Sequence, residues 1–218
     1  YDAASRGEKE LNAPVDLSME IVDYCNYSCP YCVRAKERGS GKIMSMEMFR
    51  QVIDQFAEAN NGIGGIVLTC GESLIDKKLE EKIEYAISKG VQDVILGTNG
   101  VYLTPERSKK LIESGLTKIN ISLDAATQET YLLTRGGNLE SVENNIKSLV
   151  RAREELHSAA PVIRVSFVVS PLNEHEIDEF LSKLSESAIL FKLAIKAYLR
   201  EGCGEDFDQK LTEVNTLE

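Results

Sequence analysis

Short apolar runs alternate with longer amphipathic stretches along most of this 218-residue chain, and that alternation restricts its fold more than any other feature. The runs fall at residues 17–22, 65–69, 93–96, 118–123, 163–169 and 189–194, the last of which reads as strand or helix. Between them, apolar residues recur at helical spacing. Ser45 is placed to cap a helix reaching about Ala57 through Met48, Phe49, Val52, Ile53 and Phe56. Asp76 is placed to cap a helix through Leu79, Ile83, Ala86 and Ile87, which Gly90 ends. Thr104-Pro105 opens another and Gly115 closes it. Residues 141–156 form a long amphipathic helix, and Ile177, Phe180, Leu181 and Leu184 mark the last one. Strand–helix alternation with short connections implies parallel strands and right-handed crossovers. Six strands fall short of the eight that close a full barrel, and sites in such architectures lie on the loops after the strands.

Three thiols crowd the loop after the first run: Cys25, Cys29 and Cys32, in a C-x3-C-x2-C spacing. Three thiolates in one short turn are most economically an iron–sulfur site with one metal position left open. Open metal positions are where chemistry happens, whereas closed ones are usually structural. Two alternatives stand beside this reading. A structural zinc site needs a fourth Cys or His, and the only histidines, His157 and His175, lie far along the chain. Chance clustering or disulfide use is the other, although five cysteines is an odd number for a disulfide framework.

With 35 Asp and Glu against 25 Lys and Arg, the net charge is -10. A surface that tracks nucleic-acid phosphates carries a basic excess, so that class of partner is disfavoured. No apolar run is long enough to span a bilayer and no export signal opens the chain, so no membrane partner is expected. Together with the clustered thiols, this points to a reducing cytoplasm. A hydrophobic content of 43% and a charged content of 28% suit one globular core. Residues 1–15 read as a polar arm, 16–200 as the core and 201–218 as an acidic tail.

The segment Glu20-Ile-Val-Asp-Tyr-Cys25-Asn-Tyr-Ser-Cys29-Pro-Tyr-Cys32, with Asn26 and an aromatic, Tyr31, before the third thiol, resembles the radical S-adenosylmethionine (SAM) superfamily. Five further matches follow in that family's order. Thr69-Cys-Gly71-Glu72 resembles its Gly-Gly-Glu motif, and Thr98-Asn99-Gly100 a loop after its third strand. Ile119-Asn-Ile-Ser122-Leu-Asp124 is similar to its fourth strand, residues 131–136 with Arg135 to the helix-region motif that follows, and residues 165–173 to its fifth strand and exit loop. The likeness covers about residues 17–185 and is nearest to the sulfatase-maturing and peptide-modifying branch. That branch's cysteine-rich C-terminal extension does not follow here, so one cluster is expected.

The resemblance implies a partial (β/α)6 parallel barrel, a single 4Fe-4S cluster held by Cys25, Cys29 and Cys32, and SAM on the remaining iron. It implies reductive cleavage of SAM to a 5′-deoxyadenosyl radical that takes a hydrogen atom from a substrate, foremost a peptide. A dehydrogenase or epimerase of a small metabolite and a non-catalytic iron–sulfur protein are the alternatives. An external electron donor of flavodoxin or ferredoxin type and a substrate-presenting helper protein are implied as partners.

SAM contacts carry over to Tyr31, Gly71, Glu72, Asn99, Ser122, Asp124 and Arg135. Each match has a plainer reading. Gly71-Glu72 also reads as a turn, Asn99 as the turn residue before Gly100, Asp124 as a cap for the next helix, and Arg135 as a solvated side chain before Gly136. Tyr31 serves equally well as packing. Alternation with period two puts Ser122 and Asp124 on one side of their strand. Cys70 stands where the family motif has its first glycine, which makes it a candidate catalytic thiol; its plainer reading is a small buried hydrophobe. Cys203 reads as a lone loop thiol without a ligand role.

Overall fold

In the computed structural model, residues 14–32, 39–60, 64–186 and 194–197 are described. Strands β1 (Asp16–Met19), β2 (Gly65–Leu68), β3 (Asp93–Thr98), β4 (Lys118–Ser122), β5 (Val162–Val169) and β6 (Ala194–Ala197) lie side by side in chain order. Every pairing is parallel. The crossovers contain α1 (Met46–Asn60), α2 (Leu79–Ser88), α3 (Pro105–Glu113), α4 (Gln128–Thr134) and α5 (Leu139–Glu155), and α6 (Ile177–Glu186) follows β5. This is the expected partial (β/α)6 barrel, with β1 and β6 at the two edges of the sheet.

Register explains where the core sits. Leu17 lies beside Ile66, Ile66 beside Val94, Leu96 beside Ile119 and Ile119 beside Ile163. One sheet face is thus an apolar band, against which Phe49, Ile53 and Phe56 of α1, Leu79 and Ile83 of α2, Leu111 of α3, and Val142, Ile146 and Leu149 of α5 are buried. Each such side chain stabilises the fold by roughly 1.5–3 kcal/mol. Side chains alternate along a strand, so Val67, Ile95, Asn120 and Ser122 fall on the other, concave face and are only half-buried.

Helix starts follow the side chains available to cap them. The Ser45 hydroxyl accepts the Met48 N–H at 3.1 Å, Thr104 accepts that of Arg107 at 3.2 Å ahead of Pro105, and Thr127 accepts that of Thr130 at 3.3 Å. Gly90 and Gly115 have φ of +90° and +89° just after α2 and α3, the left-handed turn expected there.

Four expectations need correction. β1 ends at Met19, not at Val22: the chain leaves the sheet, and Ile21 to Asp23 pair with residues 42–44 through the Met44 N–H to the Ile21 carbonyl at 2.8 Å and the Asp23 N–H to the Lys42 carbonyl at 3.1 Å. Asp76 does not cap α2. It lies two residues before the Lys78 cap position, accepts the Lys78 N–H at 2.9 Å, and spends its other oxygen on Lys82. The helix expected from residue 141 begins at Leu139, because Asn138 accepts the Ser141 N–H at 2.7 Å. The last strand lies at Ala194–Ala197. Residues 1–13, the remainder of the run at 189–193, the tail and Cys203 lie outside the described residues. Among those described, no helix is long and apolar enough to cross a membrane.

Candidate functional site

The cysteine loop starts where the chain leaves β1 and is braced from below by Asp23. Its carboxylate accepts the Ser40 hydroxyl at 2.6 Å, the Ser40 N–H at 2.9 Å and the Lys42 N–H at 2.7 Å, and the Ser40 bond foremost holds Asp23 below its usual range. Cys25, Cys29 and Cys32 are free thiols, Cys29 buried and the other two half-buried. The Cys32 N–H donates to the Cys29 carbonyl at 3.0 Å, closing a turn between those two. Burial foremost pushes the Cys25 and Cys29 thiols up. Among the described residues, no three His, Cys, Asp or Glu side chains are arranged around a single ion. A cube-shaped cluster makes a different demand, since it bonds each thiolate to a different iron. The zinc alternative finds no histidine: His157 and His175 are exposed on other elements.

β2 delivers the second part of the site. Gly71 has a φ of +63°, and Glu72, 1% exposed, is fixed by three donors. The Thr98 hydroxyl and the Leu74 N–H donate to its Oε1 at 2.7 and 3.1 Å, and the Asn99 N–H donates to its Oε2 at 2.7 Å. Burial pushes this carboxyl above the usual carboxylate range, against the pull of those bonds. The 3-10 turn that follows, Ser73–Ile75, is held from outside. Arg107 donates to the Leu74 and Asp76 carbonyls at 3.2 and 2.8 Å and pairs with Glu80. Lys82, buried at 1%, pairs with Asp76 and donates to the Met44 carbonyl at 2.8 Å. Sequence reasoning missed this bracing, because its members are ordinary helix-surface residue types whose burial only the fold reveals.

The end of β3 reaches the cysteines directly. Asn99 Nδ2 donates to Asn26 Oδ1 at 2.8 Å and lies 3.7 Å from Cys25 Sγ, while Asn99 Oδ1 accepts the Val101 N–H at 3.1 Å. Asn99 thus builds the turn before Gly100, whose φ is +80°, as its plainer reading has it, and it also touches the thiol loop.

Beyond β4, Asp124, Arg135, Tyr31 and Cys29 form one cluster, buried at Asp124 and Cys29 and half-buried at the other two. Asp124 is fully buried. Its Oδ2 accepts the Tyr31 hydroxyl at 2.6 Å and pairs with Arg135, and its Oδ1 accepts the Val168 N–H at 2.7 Å. Arg135 Nη1 donates to Cys29 Sγ at 3.5 Å. Two plainer readings fail here. Arg135 is not solvated, with a side chain 11% exposed. Asp124 caps no helix, since Thr127 caps α4. Tyr31 makes a specific hydrogen bond to Asp124. The alternation argument fails too: β4 ends at Ser122, and Asp124 has a φ of +60°, so strand periodicity does not extend to it. Ser122 instead shares the concave face with Ser166, whose hydroxyl lies 3.4 Å from both Ser122 Oγ and Asn120 Nδ2.

Cys70 is exposed and has a φ of +63°, so it is not the buried hydrophobe of the plainer reading. It adopts a backbone shape that a glycine would take without strain. Also missed from sequence was Glu176, whose carboxylate accepts the Ala126 and Thr127 N–H groups at 2.6 and 3.2 Å and so fixes the loop between Asp124 and α4. Asn173 Nδ2 donates to the Asp124 carbonyl at 2.9 Å.

The residues present fit a cluster and an amino-acid-bearing ligand. Three thiols share one loop, Gly71 lets the exit of β2 pack directly against the root of that loop, and two buried polar atoms here, Arg135 Nε and Asn120 Oδ1, have no partner among the described residues.

Comparison with known proteins agrees. Residues 19–184 match the Radical SAM superfamily. The chain is 35% identical over 175 residues to GTP 3',8-cyclase of Pelotomaculum thermopropionicum, covering 78% of this chain and 50% of that protein. It is 30% identical over 177 residues to mycofactocin maturase MftC of Mycolicibacterium smegmatis, covering 79% and 42%. The chain thus spans about half the length, or less, of these relatives. Its fold is similar to that of Streptococcus suis SuiB bound to precursor peptide SuiA, with a TM-score of 0.76 and 16% identity over 98% of this chain and 48% of that one. It is also similar to native anSMEcpe with bound AdoMet, with a TM-score of 0.74 and 19% identity over 94% and 60%. At those identities the likeness concerns the fold alone. The sequence match, by contrast, spans most of the chain in family order, and the chain belongs to the Radical SAM superfamily.

Proposed function

We propose that this chain is the catalytic core of a radical SAM enzyme, with a 4Fe-4S cluster on Cys25, Cys29 and Cys32 and SAM bound by Tyr31, Gly71, Glu72, Asn99, Ser122, Asp124 and Arg135. When bound, that pair supplies reductive cleavage of the sulfonium and a 5′-deoxyadenosyl radical that takes a hydrogen atom from the substrate. The chain's own residues bind and orient. The three thiols give up protons to hold metal. A carboxylate at Glu72 would suit the ammonium of a methionyl group, and Arg135 suits its carboxylate. Tyr31 and Asp124 fix the guanidinium. The observation that carries the reading is the hydrogen-bonded contact of the thiol loop with a residue just after β3 and one at the C-terminal end of α4, Asn99 to Cys25 and Arg135 to Cys29.

The substrate we favour is a peptide. SuiB was captured with its precursor peptide, MftC is a maturase, and a net charge of -10 is unfavourable to a polyphosphate. A second reading, a nucleotide or other small metabolite, rests on the 35% identity to GTP 3',8-cyclase. A flavodoxin- or ferredoxin-type electron donor, a helper protein presenting the peptide and a reducing cytoplasm complete the proposal. Anaerobic reconstitution, followed by assay of 5′-deoxyadenosine with deuterated candidate peptides and with deuterated GTP, tests it. Deuterium reaching 5′-deoxyadenosine from a peptide supports the favoured substrate, and transfer from GTP supports the second. Failure of the reduced, cluster-loaded protein to cleave SAM overturns the activity.

A further inference from the structure

We propose that Arg135 sets the reduction potential of the cluster that Cys29 helps to hold, with Asp124 and Tyr31 as its positioning residues. The inference rests on the cluster assignment above and assigns these residues a role besides SAM binding. Arg135 Nη1 donates to Cys29 Sγ at 3.5 Å. Among the described residues, the other donors near a cluster thiol, the Tyr27 N–H at 3.4 Å and Asn99 Nδ2 at 3.7 Å from Cys25 Sγ, are neutral. Charge-assisted bonds are roughly twice as strong as neutral ones. One-electron reduction by a low-potential donor adds a negative charge to the cluster. A guanidinium bonded to one of its sulfurs stabilises that state more than the oxidised one, and so raises the potential. Asp124 opposes this effect, being a fully buried carboxylate paired to the same guanidinium. The Tyr31 hydroxyl, 2.6 Å from Asp124 Oδ2, disperses part of that negative charge. The three side chains therefore form a graded device: a cation at the sulfur, an anion behind it and a neutral donor behind that. Asp124 is itself held by the Val168 N–H at 2.7 Å, so the arrangement is anchored to β5.

The test is the cluster midpoint potential, followed by electron paramagnetic resonance during dithionite titration of the reconstituted full chain without SAM. Iron and sulfide are counted in each sample. Arg135→Gln is expected to weaken reduction by about tenfold, a shift of about 59 mV to more negative potential for a one-electron couple. Asp124→Asn is expected to shift it in the opposite sense, and Tyr31→Phe to move it negative by less than Arg135→Gln. An unchanged midpoint in Arg135→Gln, or shifts of the same sign in the Arg135 and Asp124 variants, overturns the proposal. If Arg135→Gln takes up no iron, Tyr31→Phe decides, because it removes one hydroxyl only: an unchanged midpoint there overturns the proposal. A wild-type chain that takes up no cluster overturns the underlying assignment instead, and the inference falls with it.

Discussion

Gly71 passes so close to Val22 that a Cβ built on it would lie 2.1 Å from the Val22 carbonyl oxygen and 2.7 Å from that of Tyr24. The exit of β2 and the root of the cysteine loop are thus packed backbone to backbone, and the Glu72 N–H donates to the Tyr24 carbonyl at 2.9 Å. Gly71→Ala adds about 1–2 kcal/mol of left-handed strain to that clash. We expect a clear fall in Tm together with reduced iron uptake, measured by thermal denaturation and iron analysis. An unchanged Tm would show that the loop does not lie against β2.

Cys70, next to Gly71, pays the left-handed cost that Gly71 escapes, with φ also at +63°. Cys70→Gly is therefore expected to stabilise the fold by about 1 kcal/mol in urea denaturation. Cys70→Ser keeps the strain and removes the thiol. A hydrogen-donor role for Cys70 requires Cys70→Ser to form 5′-deoxyadenosine yet stop short of product, and equal product yield from both variants and wild type would remove that role.

Lys82 and Asp76 are paired with side chains only 1% and 5% exposed. Lys82→Met leaves a buried carboxylate without its cation, which costs about 3–5 kcal/mol. The double variant Lys82→Met, Asp76→Asn should recover much of that loss. Additive losses in a double-mutant cycle would contradict the pairing.

Asp23 supplies a pH dependence. Its folded pKa lies below the unfolded value of 3.8, chiefly through the Ser40 hydrogen bond. Its contribution is therefore present above that unfolded value and is lost as pH falls through the lower folded one. Asp23→Asn should flatten the acid limb of a stability profile between pH 5 and the acid transition, as followed by circular dichroism. An identical limb would remove Asp23 as a clamp on residues 40–42.

Much of this was legible in the chain, for reasons that differ by element. The strands at 65–68 and 93–98 and the caps Ser45 and Thr104 announce themselves through periodicity and local side-chain chemistry, which act over a few residues. The thiol spacing is equally local. What stayed hidden depends on distance in sequence. Asp124 bonds Tyr31 across 93 positions, and Glu176 caps the Ala126 loop across 50. No window along the chain shows that Arg107 or Lys82 is a brace and not a surface charge. The capping roles read for Asp76 and Asp124 failed for a related reason: each assumed that the nearest helix sets the side chain's task, while a buried cation had the stronger claim on both carboxylates.

The most direct test of the central claim is the electron paramagnetic resonance spectrum of the anaerobically reconstituted, dithionite-reduced chain, recorded with and without SAM. The account expects the signal of one reduced 4Fe-4S cluster, changed in shape when SAM is added and absent when Cys25, Cys29 or Cys32 is replaced by Ala. A protein that retains zinc, or a cluster whose signal SAM leaves unaltered, would contradict it.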